Sequence, residues 1–122
     1  MGSHPLNLAV RFLLELVGLA ALGYWGWTQH IGLGRWLWAI GLPLVAAILW
    51  GTLAVPNDPA RSGQAPVPIP GALRLLLELT LFAAATIALV AAGQVDAGIL
   101  LAVLAVLHYA LSYDRILWLL RN

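Results

Sequence analysis

The fold class that this 122-residue sequence predicts is all-α: a polytopic membrane four-helix bundle built from two duplicated helical hairpins, related as a parallel pseudo-twofold repeat. Three observations predict it. Hydrophobic residues make up 62% of the chain and charged residues 9%, with a mean hydropathy of +0.93, which is too little polar surface to coat a water-soluble globule. Residues 16–34, 36–57, 79–95 and 97–113 contain no Asp, Glu, Lys or Arg, and a hydrocarbon core takes roughly 20 helical residues to cross. Finally, Arg11-Phe-Leu-Leu-Glu-Leu16 and Arg74-Leu-Leu-Leu-Glu-Leu79 repeat one charged spacing in the two halves of the chain. The apolar runs are too long and uniform for barrel strands of about ten alternating residues, so the spanning backbone satisfies its hydrogen bonds as helix.

The first span is expected at 6–27. It lacks a basic leader, carries Arg11 and Glu15 inside its apolar run and shows no small-residue cleavage site, so it reads as a retained span rather than a signal peptide. The second, at 35–55, opens on Arg35, Trp36 and Trp38 and contains Pro43, which predicts a kink. Between 56 and 70 stand five of the seven prolines, with Asn57, Asp58, Arg61, Ser62, Gly63 and Gln64, the composition of a solvated loop. The third span, 71–93, carries Ala84, Ala88 and Ala92 at a four-residue period. The fourth, 97–120, carries Gly98 and Ala102, small residues that let helices approach closely. The whole chain, 1–122, is thus read as a single integral membrane domain.

Four spans return the chain to its starting side. Arg11, Arg61, Arg74, Arg115 and Arg121 lie toward that side and Arg35 toward the other, so the positive-inside bias puts both termini and the proline-rich loop in the cytoplasm. Tyr24, Trp25, Trp27, Trp36 and Trp38 are expected as anchors at the outer interface, with Trp50 and Trp118 on the cytoplasmic side. A two-span repeat preserves direction across the membrane, which makes the duplication parallel rather than inverted.

Ionised residues inside apolar spans are costly and must be offset by a partner, water or a ligand. The candidate layer comprises Arg11, Glu15, Arg74, Glu78, His108, Ser112, Tyr113, Asp114 and Arg115, all expected near the cytoplasmic side, with three arginines balancing Glu15, Glu78 and Asp114. Arg four residues before Glu is the weaker order for a pair within one helix. A reciprocal exchange across helices, Arg11 to Glu78 and Arg74 to Glu15, is therefore expected. Asn7 and Gly18 extend the Arg11 stripe, and His108, Ser112 and Arg115 share a face of the fourth span.

Several function classes lack their signatures. There is no cysteine, so no disulfide, thiolate nucleophile or Cys-based metal site. His108 has no neighbouring His with which to build a metal site, and no cofactor is implied. A net charge of +1 without a basic stripe gives no reason to expect nucleic acid. No phosphate loop, HExxH or nucleophile elbow marks an enzyme, and action on a lipid is the one catalytic class left open.

The stretches Trp50-Gly-Thr-Leu-Ala-Val-Pro56 and His108-Tyr-Ala-Leu-Ser-Tyr-Asp-Arg-Ile-Leu-Trp-Leu-Leu120, with the early Arg-x-x-x-Glu-Leu, resemble the YrdB-like family of small bacterial four-span membrane proteins. The likeness covers nearly the whole chain, and its most specific part is His-Tyr-x-x-Ser-Tyr-Asp-Arg. The resemblance implies the topology and a bacterial inner-membrane location; the family carries a domain-of-unknown-function label. Two readings of the charge layer follow. In one it binds a small polar ligand or lipid headgroup, as a minimal transporter or membrane accessory. In the other it is a closed ion-pair network fixing helix packing in a structural or interaction protein. Membrane lipids are the expected partners, and a homodimer or a partner membrane subunit stays open.

Overall fold

In the computed structural model, which describes residues 4–58 and 65–122, the chain is all-helical apart from one pair of two-residue strands. Pro59, Arg61, Ser62, Gly63 and Gln64 of the expected loop lie outside the described residues. Helix α1 (Pro5–Gln29) starts on a proline, whose missing N–H is no loss in a first turn. Its buried residues Asn7, Arg11, Leu14, Gly18 and Ala21 recur at steps of four and three, one stripe of a helix. Gly32, with φ of +66°, turns the chain into α2 (Leu33–Thr52), which continues through Pro43 as one helix and has no fully buried residue. Helix α3 (Gly71–Ala91) buries Gly71, Arg74, Glu78, Leu81, Phe82, Ala85, Ala88 and Leu89. The small residues turned inward are thus Ala85 and Ala88, in phase with Glu78 and Leu81, whereas Ala84 is exposed.

The fourth stretch differs from the continuous helix expected over 97–120. It is α4 (Val95–Leu111) followed by α5 (Tyr113–Arg121), bent by 70°. Ser112 makes the break: its N–H reaches the carbonyls of His108 and Tyr109 at 3.0 and 3.2 Å, and its own carbonyl accepts from Arg115 and Ile116 at 2.9 and 3.2 Å. One residue closes α4 and opens α5. The bend lays α5 across the start of α3, where Gly71 is required because a Cβ there would overlap the backbone of Leu119. Helices α1, α2 and α3 are each long and apolar enough to cross a membrane, and α4 with α5 makes a fourth crossing only as a bent pair.

Helix α1 packs on α2, α3 and α4, while α3 packs on α4 and α5 and only lightly touches α2. Lipid gives helices no hydrophobic reason to associate, so close backbone approach matters. Gly26 faces the Trp38 backbone and Gly23 the Ala39 carbonyl between α1 and α2, Gly18 faces Phe82 and Ala85 between α1 and α3, and Gly98 faces Thr86 and Val90 between α3 and α4. The apolar core is Leu14, Ala21, Phe82, Ala85, Leu89, Leu101, Ala105 and Tyr109.

The described ends of the proline-rich segment are more structured than their composition predicts. Strand β1 (Leu53–Ala54) pairs in parallel with β2 (Val67–Pro68), and Ile69 N–H bonds the Ala54 carbonyl at 2.9 Å. Ala54 and Val55 are buried. Val55-Pro56-Asn57-Asp58 then forms a β-turn, with Pro56 at its second position, Asn57 at φ of +65°, and Asp58 N–H bonded to the Val55 carbonyl at 3.3 Å. This turn carries Asp58 inward, to 1% exposure. At the opposite, aromatic end, Arg35 Nε donates to the carbonyls of Trp27 and His30 at 3.0 and 3.1 Å, covering the end of α1, and His30 stacks on Trp38.

Candidate functional site

Glu78 is the centre of the charged end. It sits one turn after Arg74 on α3, at 0% exposure, where an unpaired carboxylate would carry a large desolvation cost. Its Oε2 accepts from Arg11 Nη2 of α1 at 2.9 Å, Arg74 Nε of α3 at 2.7 Å and Arg115 Nη2 of α5 at 2.6 Å. Its Oε1 accepts from the Tyr109 hydroxyl of α4 at 2.8 Å. Four helices therefore meet on one carboxylate.

Each of the three arginines uses a further nitrogen on another partner. Arg11 Nε reaches Glu15 at 3.2 Å, Arg74 Nη1 holds the carbonyls of Trp50 and Leu53 at 2.6 and 2.7 Å, and Arg115 Nη1 pairs with Asp58. Arg74 thus covers the end of α2, whose last carbonyls have no partner within their own helix. Trp50 lies beneath both guanidinium groups, 5.4 Å from Arg11 Cζ and 4.5 Å from Arg74 Cζ, so this ring serves the charge layer as well as the membrane end expected for it. Phe82 packs edge-on against Trp50 and Tyr109, so the aromatic part of the apolar core borders the charges directly.

Of the residues singled out in the sequence, Arg11, Glu15, Arg74, Glu78 and Arg115 are joined in this network. Ser112 lies at its edge, accepting from Asn7 Nδ2 at 2.7 Å, and buried His108 stands beside Tyr109. Tyr113 is 64% exposed, and Asp114 is also exposed on α5. The acid opposite Arg115 is Asp58, not Asp114: the 70° bend and the turn at Asn57 bring Arg115 and Asp58 together and rotate Asp114 outward. The reciprocal exchange is realised in one direction, Arg11 to Glu78. Arg74 bonds Glu78 on its own helix and Glu15 takes Arg11 on its own, because a guanidinium with five donors can serve an acid at i+4 and a second partner at once. Sequence reasoning missed Asp58 and the hydroxyl of Tyr109. The signal for Asp58 is its place as the sole acid between Trp50 and Arg74.

Comparison with known proteins adds a family. Residues 9–106 match the family model described as "Protein of unknown function (DUF2568)". The chain belongs to this family. It is also 40% identical over 116 residues to "Uncharacterized protein YrdB" of Bacillus subtilis (strain 168), covering 95% of this chain and 94% of that one. The DUF2568 match takes in both Arg-x-x-x-Glu segments and Asp58 and ends before His108, whereas the YrdB similarity extends over nearly the whole length. No solved structure matches the chain.

Proposed function

We propose that this protein is a small integral protein of the bacterial inner membrane, with both termini in the cytoplasm, whose charge layer is a closed ion-pair lock fixing helix order and register. The observation that carries this is the saturation of Glu78: four donors from α1, α3, α4 and α5 lie 2.6–2.9 Å from one fully buried carboxylate. An isolated charge at mid-bilayer costs about 2.5–3.5 kcal/mol on insertion scales, and bringing all of them together removes that cost while drawing the helices into one arrangement. Arg11, Arg74 and Arg115 are matched by Glu78, Glu15 and Asp58, so the layer is neutral as a unit.

The single membrane domain made of two parallel, pseudo-twofold hairpins is part of the same proposal. It is supported by the central pairing of α1 with α3, flanked by α2 on one and α4 on the other, with glycine contacts within each hairpin. Its partners are membrane lipids and a second copy or a partner subunit, for which α2, without a fully buried residue, supplies a free face. A transport role is not favoured, because the cavities toward the aromatic end are lined by Leu, Ala and Val with Tyr24.

A double-mutant cycle tests the lock. Since three arginines share Glu78, exchanging Arg11 with Glu78 would leave Arg74 and Arg115 facing a new cation, so apolar replacements are sharper. Arg11→Met and Glu78→Leu should each destabilise the purified protein by about 3 kcal/mol or more, and together by less than the sum. Strictly additive losses would overturn the lock.

A second reading, in which the layer also binds a polar ligand or lipid headgroup, is favoured by one observation. Arg11 Nη1, Arg115 Nε and His108 Nδ1 are buried without a hydrogen-bond partner. Such atoms cost about 1–3 kcal/mol each, which an acceptor from outside the chain would recover.

A further inference from the structure

Helix α5 has three faces rather than two. Arg115 and Leu119 are buried against the bundle; Tyr113, Leu117 and Leu120 make an exposed apolar stripe; Asp114 and Arg121 are exposed on a third side, with half-buried Trp118 between them. Within each set the residues recur at steps of three or four, so each set holds one side of the helix. Protein covers the first face, and the other two call for opposite surroundings. The interior of a bilayer offers no water to Asp114 and Arg121, and a helix standing free in water leaves the apolar stripe uncovered. The boundary of a bilayer supplies acyl chains and polar groups side by side.

Two observations place α5 at that boundary. Helix α4 has 17 residues, about 25 Å at ~1.5 Å per residue, so it crosses most of a ~30 Å hydrocarbon core before Ser112 breaks it. The Leu119 backbone meets Gly71, the first residue of α3, which sets α5 level with the start of a neighbouring span. The 70° bend then turns α5 away from the direction of α4 and toward the membrane plane. The helix is also complete in itself. Asp114 stands in its first turn and Arg121 in its last, as the helix dipole favours, and Asn122 Nδ2 donates to the Trp118 carbonyl at 2.7 Å. Nine residues are too few for a helix to persist in water alone, and Tyr113 and Trp118 are the residue types that gather at headgroups.

We infer that α5 is an interfacial helix lying in the plane of the membrane, with Tyr113, Leu117 and Leu120 covered by the acyl chains of one leaflet and Asp114 and Arg121 among its headgroups. This goes beyond the ion-pair lock and rests only on the reading of the chain as a membrane protein.

Depth measurement tests it. The chain has no cysteine, so each single-cysteine variant takes one nitroxide label. Tyr113→Cys, Leu117→Cys, Leu120→Cys, Asp114→Cys and Arg121→Cys replace exposed side chains, and Val103→Cys marks the middle of α4. The full-length variants, their fold checked by melting curves, are placed in vesicles of phosphatidylethanolamine and phosphatidylglycerol. The accessibility of each label to oxygen relative to a nickel chelate then gives its depth. Labels at 113, 117 and 120 should lie about 5–10 Å below the phosphates, those at 114 and 121 at the phosphates or above, and that at 103 deepest. Tyr113 and Leu120 are about 10 Å apart along the helix axis, so a helix in the plane keeps their depths within about 6 Å of each other. A larger difference would make α5 the tilted end of a span and overturn the inference. Labels at 114 and 121 as deep as that at 117 would overturn it too, because the polar face would then lie in lipid. Water at all five positions with 103 still deep would put α5 outside the bilayer, overturning the inference and keeping the membrane reading. Water at 103 as well would remove the membrane reading itself.

Discussion

Arg74 and Glu78 on α3 are both completely buried, whereas in the matching pair on α1 Arg11 is buried and the Glu15 side chain keeps 20% of its exposure. The spacing is the same in the two motifs and the neighbours are not. A buried stripe on a helix advances by steps of three or four. On α1 the step after Arg11 is three, to Leu14, which leaves Glu15 on the rim; on α3 the step after Arg74 is four, which puts Glu78 in the centre. The deeper position belongs to the helix that α1, α4 and α5 all touch. The same Arg-x-x-x-Glu spacing therefore supplies the same side chains to α1 and α3, and packing decides which of the two becomes the hub.

The comparison breaks most sharply at the hub acid. Glu78→Ala should cost about 3–5 kcal/mol, since it leaves three buried guanidinium groups facing each other, and is read as loss of a monodisperse folded peak and of the melting transition. Gly71→Ala comes next, at about 1–3 kcal/mol, because its Cβ meets the Leu119 backbone, which can yield only if α5 shifts; protease accessibility of α5 should rise with the fall in melting temperature. Tyr109→Phe, which removes one donor from Glu78 Oε1 and keeps the ring, should cost about 1–2 kcal/mol by equilibrium unfolding. Glu15→Gln, at the partly exposed copy, should cost less than about 1 kcal/mol in the same measurement. If Glu15→Gln matched Glu78→Ala, the distinction between rim and hub would fail.

Much of this was legible in the residues. Hydropathy locates α1, α2 and α3, since over twenty residues it is a bulk property that packing does not alter. The link between Arg11 and Glu78 was legible because few other solutions exist for a charge in an apolar helix. The break at Ser112 was not: the apolar residues Ile116 to Leu120 read as a continuation of the span, whereas in the fold the bend accompanies contacts of Arg115 with Glu78 and Asp58, which lie far away in the chain. Asp58 was hidden by the same non-locality. Its turn residues signal a loop, and nothing in Pro56-Asn57-Asp58 says that the loop folds back onto the bundle.

The ion pairs within single helices also bear on how such a protein is made. Were the helices inserted in chain order, Arg11 with Glu15 at 3.2 Å and Arg74 with Glu78 at 2.7 Å would let α1 and α3 each enter with a counter-ion of its own. Arg115 is the exception: the acids it pairs with, Asp58 and Glu78, lie outside α5, and both precede it in the chain. Insertion in that order would bring two self-neutralised helices first and, last, the helix whose cation ties them together.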